Sequence, residues 1–263
     1  MDNISTMSKQ QLNEVKIILT DIDDTLTTDG RLKSNAYTAL ENLSNSGFIV
    51  IPVTGRCAGW CDHIARMWPV NGVVGENGAF FFSYDHQSKK MQQTYCQTPK
   101  ERKENHLALH EIKKTILKNV SGSALASDQD YRHTDLAIDF AEDVATLSSN
   151  KIKQIVTIAE NAGAIAKVSS IHVNCWIGSH NKLSTSLTTL EQVFGVSNSN
   201  IQNEVLFIGD SPNDSMMFDY FNKSVGVANV MDFIKELDKP PKYITLNHSG
   251  EGFVELADSL LRR

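Results

Sequence analysis

Val15 to Gly30 reads VKIILTDIDDTLTTDG, and the fold turns on this stretch. Val15, Ile17, Ile18 and Leu19 make an apolar run of strand length, followed directly by Asp21, Asp23 and Asp24. A strand covered on both faces is almost wholly apolar, and open parallel sheets bind ligands beyond the carboxyl ends of their strands. Crowded acids at such an end repel one another, so the pattern predicts a site. Side chains alternate along extended backbone, which points Asp21 and Asp23 the same way and Ile22 into the core. Two unit charges about 4 Å apart at an effective dielectric near 20 repel by roughly 4 kcal/mol. One of the pair is therefore expected to hold a proton near neutrality. Asp24 points away and caps or braces the turn, and Thr27 to Gly30 reads as a flap.

Outward from this stretch, apolar runs alternate with helical patterns, the signature of a parallel sheet wrapped by helices. Ser34 is placed to cap a helix through Ser46, with Gly47 as its stop. FIVIPVTGR, Phe48 to Arg56, is a second buried strand, followed by a helix over Ala58 to Met67. NGVVGENGAFFF gives strand, turn and strand. Near the C-terminus the spacing predicts strands at Val205–Ile208, Ser224–Val227 and Tyr243–Leu246. It predicts helices at Pro212–Tyr220 and from Gly252 to Leu261.

The middle has another rhythm. A polar, basic helix from Lys100 to Asn119 precedes strands near Ser123–Ala126 and Thr134–Phe140. A helix over Ser148–Ala162 then leads to strands near Ala164–Val168 and Ile171–Trp176. This order suggests an antiparallel sheet with helices on one face, inserted into the α/β core. Tyr84 to Lys89 and Gly178 to Asn181 are the expected linkers, giving a core of residues 1–84 and 180–263 and an insert of 85–179. The basic helix interleaves its charges with Leu109, Ile112 and Ile116, as expected of an amphipathic helix on the inserted sheet.

With 263 residues the chain has room for a core plus one large insertion. A net charge of −6 argues against a sequence-independent nucleic-acid binder. It leaves room for a small anionic substrate, because a metal or a few cations reverse the potential locally. Cys57, Cys61, Cys96 and Cys175 are too scattered for a disulfide framework and lack zinc spacing, so reduced thiols are expected. The N-terminus lacks a signal-peptide apolar segment and no run is long enough to span a membrane, so a cytoplasmic protein is expected. Oligomeric state is not readable from the sequence.

Four pieces fall at the carboxyl ends of predicted core strands or just after the insertion. They are Asp21 to Thr25, Thr54-Gly55-Arg56, Lys182, and Gly209 to Asp214. A carboxylate is ionised at pH 7, so Asp21 needs no base to act as a nucleophile. Attack on phosphorus requires that the repulsion between anions be cancelled, which a hard cation such as Mg2+ held by oxygen ligands accomplishes. Asp21 and Asp210 are the expected side-chain ligands, with Asp23 contributing its carbonyl and Asp214 close by. Lys182 would neutralise phosphoryl oxygens, while the Thr54 hydroxyl and the loop N–H groups at Gly55 donate to them. A protonated Asp23 would serve the leaving oxygen and then activate water.

DIDDT, TGR, the lysine of HNKLS and GDSPND are similar, in order, to the four motifs of the haloacid dehalogenase superfamily of phosphohydrolases. The insertion resembles a type IIB cap, as in the Cof-like, sucrose-phosphatase-like and phosphomannomutase-like members. ENGAFFF resembles the NGA turn of that branch. The resemblance implies a doubly wound Rossmann-like core with an αββαββ cap. It also implies an aspartyl-phosphate on Asp21, acid/base work by Asp23, and Mg2+. SSIHVNCWIGSHNK resembles the phosphomannomutase segment that enters the lysine, although Asn174 stands where that enzyme has Asp. The expected activity is hydrolysis of small phosphorylated metabolites, sugar phosphates foremost. A phosphomutase, a receiver-type phosphorylation switch and a nucleotide-sugar transferase are its rivals.

Several positions stay open between two roles. Arg56 can bind substrate or pair with a carboxylate, and Thr54 can cap a helix and bind phosphate together. Asn77 can shape a turn or stand at the mouth of the site. Asn213 lies within the last motif. Lys167, Ser169, His172 and Asn174 can face the site from alternating strand positions or belong to the polar surface of the inserted sheet.

Overall fold

The structure, a computed structural model, describes residues 1–169 and 171–262. Thirteen strands and nine helices follow in chain order among the described residues. The first part of the core holds β1 (Asp2–Asn3), α1 (Lys9–Glu14), β2 (Ile17–Thr20), α2 (Ser34–Asn45), β3 (Ile49–Pro52) and α3 (Ala58–Met67). β4 (Val73–Gly75), β5 (Phe80–Asp85) and β6 (Lys90–Tyr95) come next. The inserted part is α4 (Pro99–Asn119), β7 (Ala124–Leu125), β8 (Asp135–Asp139), α5 (Ser149–Asn161), β9 (Ile165–Val168) and β10 (His172–Trp176). The chain returns with α6 (Lys182–Gln192), α7 (Asn198–Glu204), β11 (Val205–Gly209), α8 (Ser215–Tyr220), β12 (Lys223–Gly226), β13 (Tyr243–Ile244) and α9 (Ser249–Leu261).

Six strands form one parallel sheet in the order β1-β13-β12-β11-β2-β3. Its alternation is visible in the packing. Ile18, Val50, Leu206 and Ile208 join one apolar cluster with Leu40 and Leu43 of α2 and Phe253 and Leu256 of α9. Ile17, Leu19, Ile51 and Phe207 join another with Leu190 of α6 and Met217 and Phe218 of α8. Both faces of β2 are thus covered, which is why its sequence is continuously apolar. The α/β class and the parallel core expected from the sequence are what the chain adopts.

The insertion follows the expected αββαββ order and folds as a four-stranded antiparallel sheet, β7-β8-β10-β9. Val173 and Cys175 of β10 pack with Ile112 and Ile116 of α4 and Ile155 of α5. The intervening His172, Asn174 and Trp176 therefore point to the opposite face, toward the core. That single alternation separates cap core from cap site.

Several sequence readings need correction. Tyr84–Lys89 is no linker: β5 and β6 pair from Phe80↔Tyr95 to Asp85↔Lys90, so this stretch is the tip of a hairpin. Its turn chemistry looks like a connector because a hairpin tip needs the same residues; Lys89 has φ 55°. The hairpin extends a three-stranded sheet, β4-β5-β6, tied to the main sheet by a bridge between Val53 and Val74. Ser34 does not cap α2; Lys33 precedes the helix without a side-chain cap bond. Gly47, at φ 85°, does end it in left-handed backbone. The predicted Pro212–Tyr220 helix divides into a 3-10 turn at Pro212–Asp214 and α8. Thr27 to Gly30 closes as a tight turn bridged between Thr28 and Arg31. Among the described residues no helix is long and apolar enough to cross a membrane.

Candidate active site

Asp21 and Asp210 leave the ends of the adjacent parallel strands β2 and β11, and the Asp21 N–H still donates to Ile208 O at 2.9 Å. Sheet pairing alone brings these two carboxylates together. The 3-10 turn adds Asp214, whose Oδ2 accepts from the Asp210 N–H at 3.2 Å. Gly209 is required here, since a Cβ would lie 2.3 Å from that oxygen. Asp21, Asp210 and Asp214 are all buried, and one carboxylate oxygen from each lies within 4.8 Å of the others. Lys182, the first residue of α6, places Nζ 2.9 Å from Asp21 Oδ1 and 2.8 Å from Asp214 Oδ1.

This cluster holds three carboxylates against one ammonium. Burial, opposed by Lys182 and reinforced by the charges of Asp214 and Asp23, pushes the Asp21 carboxyl up to about 7. Burial and the neighbouring Asp21 and Asp214 push Asp210 well above the ordinary carboxylate range. The two Asp carboxylates raise Lys182 against the opposing effect of its burial. Burial, rather than the nearby Asp23 charge, is the leading cause of the Asp21 shift. Excess buried negative charge on hard oxygen donors fits a hard divalent cation such as Mg2+. Thr25 and Asn229 steady Asp210: the Thr25 hydroxyl donates at 3.2 Å and Asn229 Nδ2 at 3.4 Å. Asn229 also donates to Asp24 O at 3.0 Å, so Asp24, at φ 55°, belongs to the brace of the turn.

Arg56 pairs with a carboxylate. Its Nε lies 3.0 Å from both Asp23 oxygens, and Nη2 lies 2.7 Å from Oδ1. The guanidinium also sits 4.5 Å above the Trp60 ring and 3.6 Å from Glu142. Glu142 in turn lies 2.9 Å from His172 Nε2, whose imidazole is pushed down by burial. Thr54 is fully buried, and its hydroxyl oxygen accepts from the Arg56 N–H at 3.0 Å. That bond leaves the hydroxyl proton free to donate elsewhere.

A cavity of about 30 Å³ lies between strand ends and cap. Of the residues predicted from sequence, Asp21, Asp23, Gly55, Arg56, Ser169, His172, Asn174, Asp210 and Asn213 line it. Thr54, Lys182 and Asp214 stand behind this lining. Asn77, at φ 55°, serves the turn and also presses its amide against Gly55, 3.2 Å from where a Cβ would be. Lys167 pairs with Asn174 in the register and shares its face, but it is exposed and outside the lining. Arg132 and Ile171 also line the cavity and were not anticipated, and Ser211 lines it from within the last motif. Arg132 had a signal in the sequence: Asp128 and Asp135 stand four residues before and three after it, the spacing of a paired arginine.

The chain is similar to relatives and to solved structures over nearly its whole length. A phosphoglycolate phosphatase of Methanobrevibacter smithii is 24% identical over 252 residues, covering 94% of this chain and 99% of the relative. A solved structure from Thermoplasma acidophilum superposes with a TM-score of 0.71 at 18% identity, covering 94% of this chain and 98% of that one. The Synechocystis sucrose-phosphatase, solved with sucrose and phosphate, superposes with a TM-score of 0.62 at 15% identity, covering 93% and 97%. The profile of the haloacid dehalogenase-like hydrolases matches residues 18–255, a span that takes in both acidic clusters and the insertion between them. A match of that extent, on a fold with both clusters at adjacent strand ends, means that the chain belongs to the haloacid dehalogenase-like hydrolase family.

Proposed function

We propose that this hydrolase is a Mg2+-dependent phosphatase of small phosphate monoesters, and that its preferred esters carry neutral, hydroxylated leaving groups such as sugars. The observation that carries the reading is the buried cluster of Asp21, Asp210 and Asp214 with Lys182 as its only ammonium partner among the described residues. Asp21, Asp210 and Asp214, with the Asp23 carbonyl, would hold the cation. Bound there, Mg2+ supplies positive charge that draws the phosphoryl oxygens toward the carboxylates.

The chain's own residues supply the rest. Lys182 fixes Asp21 through Oδ1, leaving Oδ2 to attack phosphorus. The bond to the leaving oxygen breaks as a proton reaches that oxygen from Asp23, which must first exchange its Arg56 pairing for a proton from solvent, and an aspartyl-phosphate is left. Asp23 then takes a proton from water, the water oxygen bonds to phosphorus, and the acyl-phosphate bond breaks to restore Asp21. Thr54 and the Gly55 N–H would hold the phosphoryl oxygens through both steps. Residues from Thr98, which caps α4, to Trp176 at the end of β10 act as the cap. The cavity has room for about one or two waters, so the cap must withdraw to admit substrate.

The charge pattern of the cavity supports a neutral leaving group. Its two guanidinium groups are already paired, Arg56 with Asp23 and Arg132 with Asp128 and Asp135. Ser169, Asn174, Ser211 and Asn213 offer uncharged donors and acceptors. Asn174 Oδ1 is buried without a hydrogen-bond partner, so a substrate hydroxyl would satisfy it. The small cavity and the phosphoglycolate phosphatase relative favour a second reading, a short phospho-acid. Phosphate release from a panel of sugar phosphates, polyol phosphates and phosphoglycolate with Mg2+ decides. The proposal expects kcat/KM at least tenfold higher for a hydroxylated ester, and phosphoglycolate at the top of the panel contradicts it. Isomerised product without phosphate release would instead indicate a phosphomutase.

A further inference from the structure

Core and cap meet at a seam that the catalytic chemistry does not use directly. Arg132, in the loop before β8, donates from Nη1 to Gly55 O at 3.1 Å. Asp135 also accepts from Nη1, and Asp128 accepts from Nε and Nη2, all at 3.0 Å. From the core side, Thr54 takes the Arg56 N–H. The Gly55–Arg56 peptide is therefore held at both ends, one by the cap and one by the core. Glu76 is fully buried and completes the seam. Its Oε1 accepts from Ala58 N at 3.0 Å and His133 N at 2.8 Å, and Oε2 accepts from Thr134 N at 2.7 Å and from the Thr134 hydroxyl. Glu76 adopts left-handed backbone, φ 44°, which a glutamate keeps only when its surroundings hold it there. Gly59 lets the surfaces close, since a Cβ there would come 2.9 Å from Tyr131 Cβ.

We propose that Arg132 and Glu76 are positioning residues that make the cap loop 128–134 part of the phosphate-binding floor whenever the cap is closed. They hold the 54–58 loop so that the Gly55 N–H and the Thr54 hydroxyl stay aimed at the phosphoryl group. The inference rests on the phosphatase reading for the identity of the bound group. It differs from a contact to the leaving group in what it predicts, because a floor residue affects every ester alike.

The test measures inorganic phosphate binding by calorimetry with Mg2+, kcat/KM for esters with different leaving groups, and hydrogen exchange of residues 54–60 and 128–135. Glu76→Gln keeps the shape but cannot accept all four bonds, and Arg132→Lys keeps the charge but loses the fork. Each is expected to weaken phosphate binding tenfold or more and to lower kcat/KM by a similar factor for all esters. The double variant should be no worse than the weaker single one, with exchange rising in both segments together. Phosphate affinity within twofold of wild type in the folded variants overturns the proposal, as does a loss confined to one leaving group. If Arg132→Lys does not fold, Glu76→Gln and Gly59→Ala decide it by the same readouts. Wild-type protein that binds phosphate but hydrolyses no ester defeats the phosphatase reading alone, and the variants' phosphate affinities still decide the clamp. Wild-type protein that binds no phosphate overturns both.

Discussion

Two buried groups of carboxylates lie close together in this molecule and differ in one respect. At the seam, Asp128 and Asp135 hold one guanidinium and Glu76 accepts from three backbone N–H groups and a hydroxyl, so each carboxylate has its donors, although burial still pushes Asp135 up to about 7. At the strand ends, Lys182 pairs with Asp21 and Asp214, while Asp210 has only the neutral donors Thr25 and Asn229. Burying an ion without a partner is strongly unfavourable, and a protein keeps such a cluster only for a ligand or a reaction. The complete cluster holds the structure together, and the incomplete one is where the proposed function puts a cation and a phosphoryl group.

Neutralising one acid in each cluster separates them most sharply. Asp210→Asn should lower turnover by about 10³-fold or more while leaving the metal-free protein at least as stable, because it removes unbalanced charge. Asp135→Asn should instead destabilise by about 3–5 kcal/mol in a denaturant titration, because it leaves Arg132 short of a partner. Equal losses of stability in the two variants would erase the distinction.

A smaller effect concerns pH and metal. The folded-state pKa of Asp21, about 7, lies above its ordinary value. The folded protein therefore binds more protons than the unfolded chain between about pH 4 and 7, and this group's contribution to stability is lost as pH rises through 7. Mg2+ should relieve that loss. At a hundredfold excess over its Kd it should stabilise by about 2.7 kcal/mol, with a larger Tm shift at pH 8 than at pH 5.5. A shift that is equal or larger at pH 5.5 would contradict the assignment of these carboxylates as ligands.

The smallest effect lies outside both clusters. His180 stacks on Trp176 at the return from the cap, and burial holds its imidazole down at about 4. The unfolded chain then binds the extra proton first, so stability is full above about pH 6.5 and falls as pH drops toward 4. His180→Gln should remove about 1 kcal/mol of that dependence between pH 6.5 and 5.5, read from denaturation midpoints.

The acidic cluster proposed as catalytic was legible because its residues are short-range: each lies within a few positions of an apolar strand, and strand pairing does the rest. Asp21, Asp210 and Asp214 meet because β2 and β11 are neighbours. The site-facing side of β10 was legible in the same way, from alternation at His172 and Asn174. The bonds of Arg132 and Glu76 across the seam were not, because those partners lie 77 and 57 residues away, at Gly55 and His133; only Arg132's pairing with Asp128 and Asp135 had a local signal. No local periodicity encodes such pairings. The hairpin tip at Tyr84–Lys89 was misread as a connector because turn residues serve both purposes, and β6 carries too little apolar alternation to announce itself. Lys167 shows the opposite limit: register puts it on the right face, but depth in the cavity depends on how cap and core are set.

Trapping the covalent intermediate tests the account most directly. Wild-type protein with Mg2+ and a turned-over phosphate ester is quenched in acid within one turnover, reduced with borohydride and analysed by peptide mass spectrometry. Conversion of Asp21, and no other aspartate, to homoserine is expected, with the signal and phosphate release both lost in Asp21→Asn. Undiminished Mg2+-dependent phosphate release by Asp21→Asn, or trapping at a different residue, would contradict it.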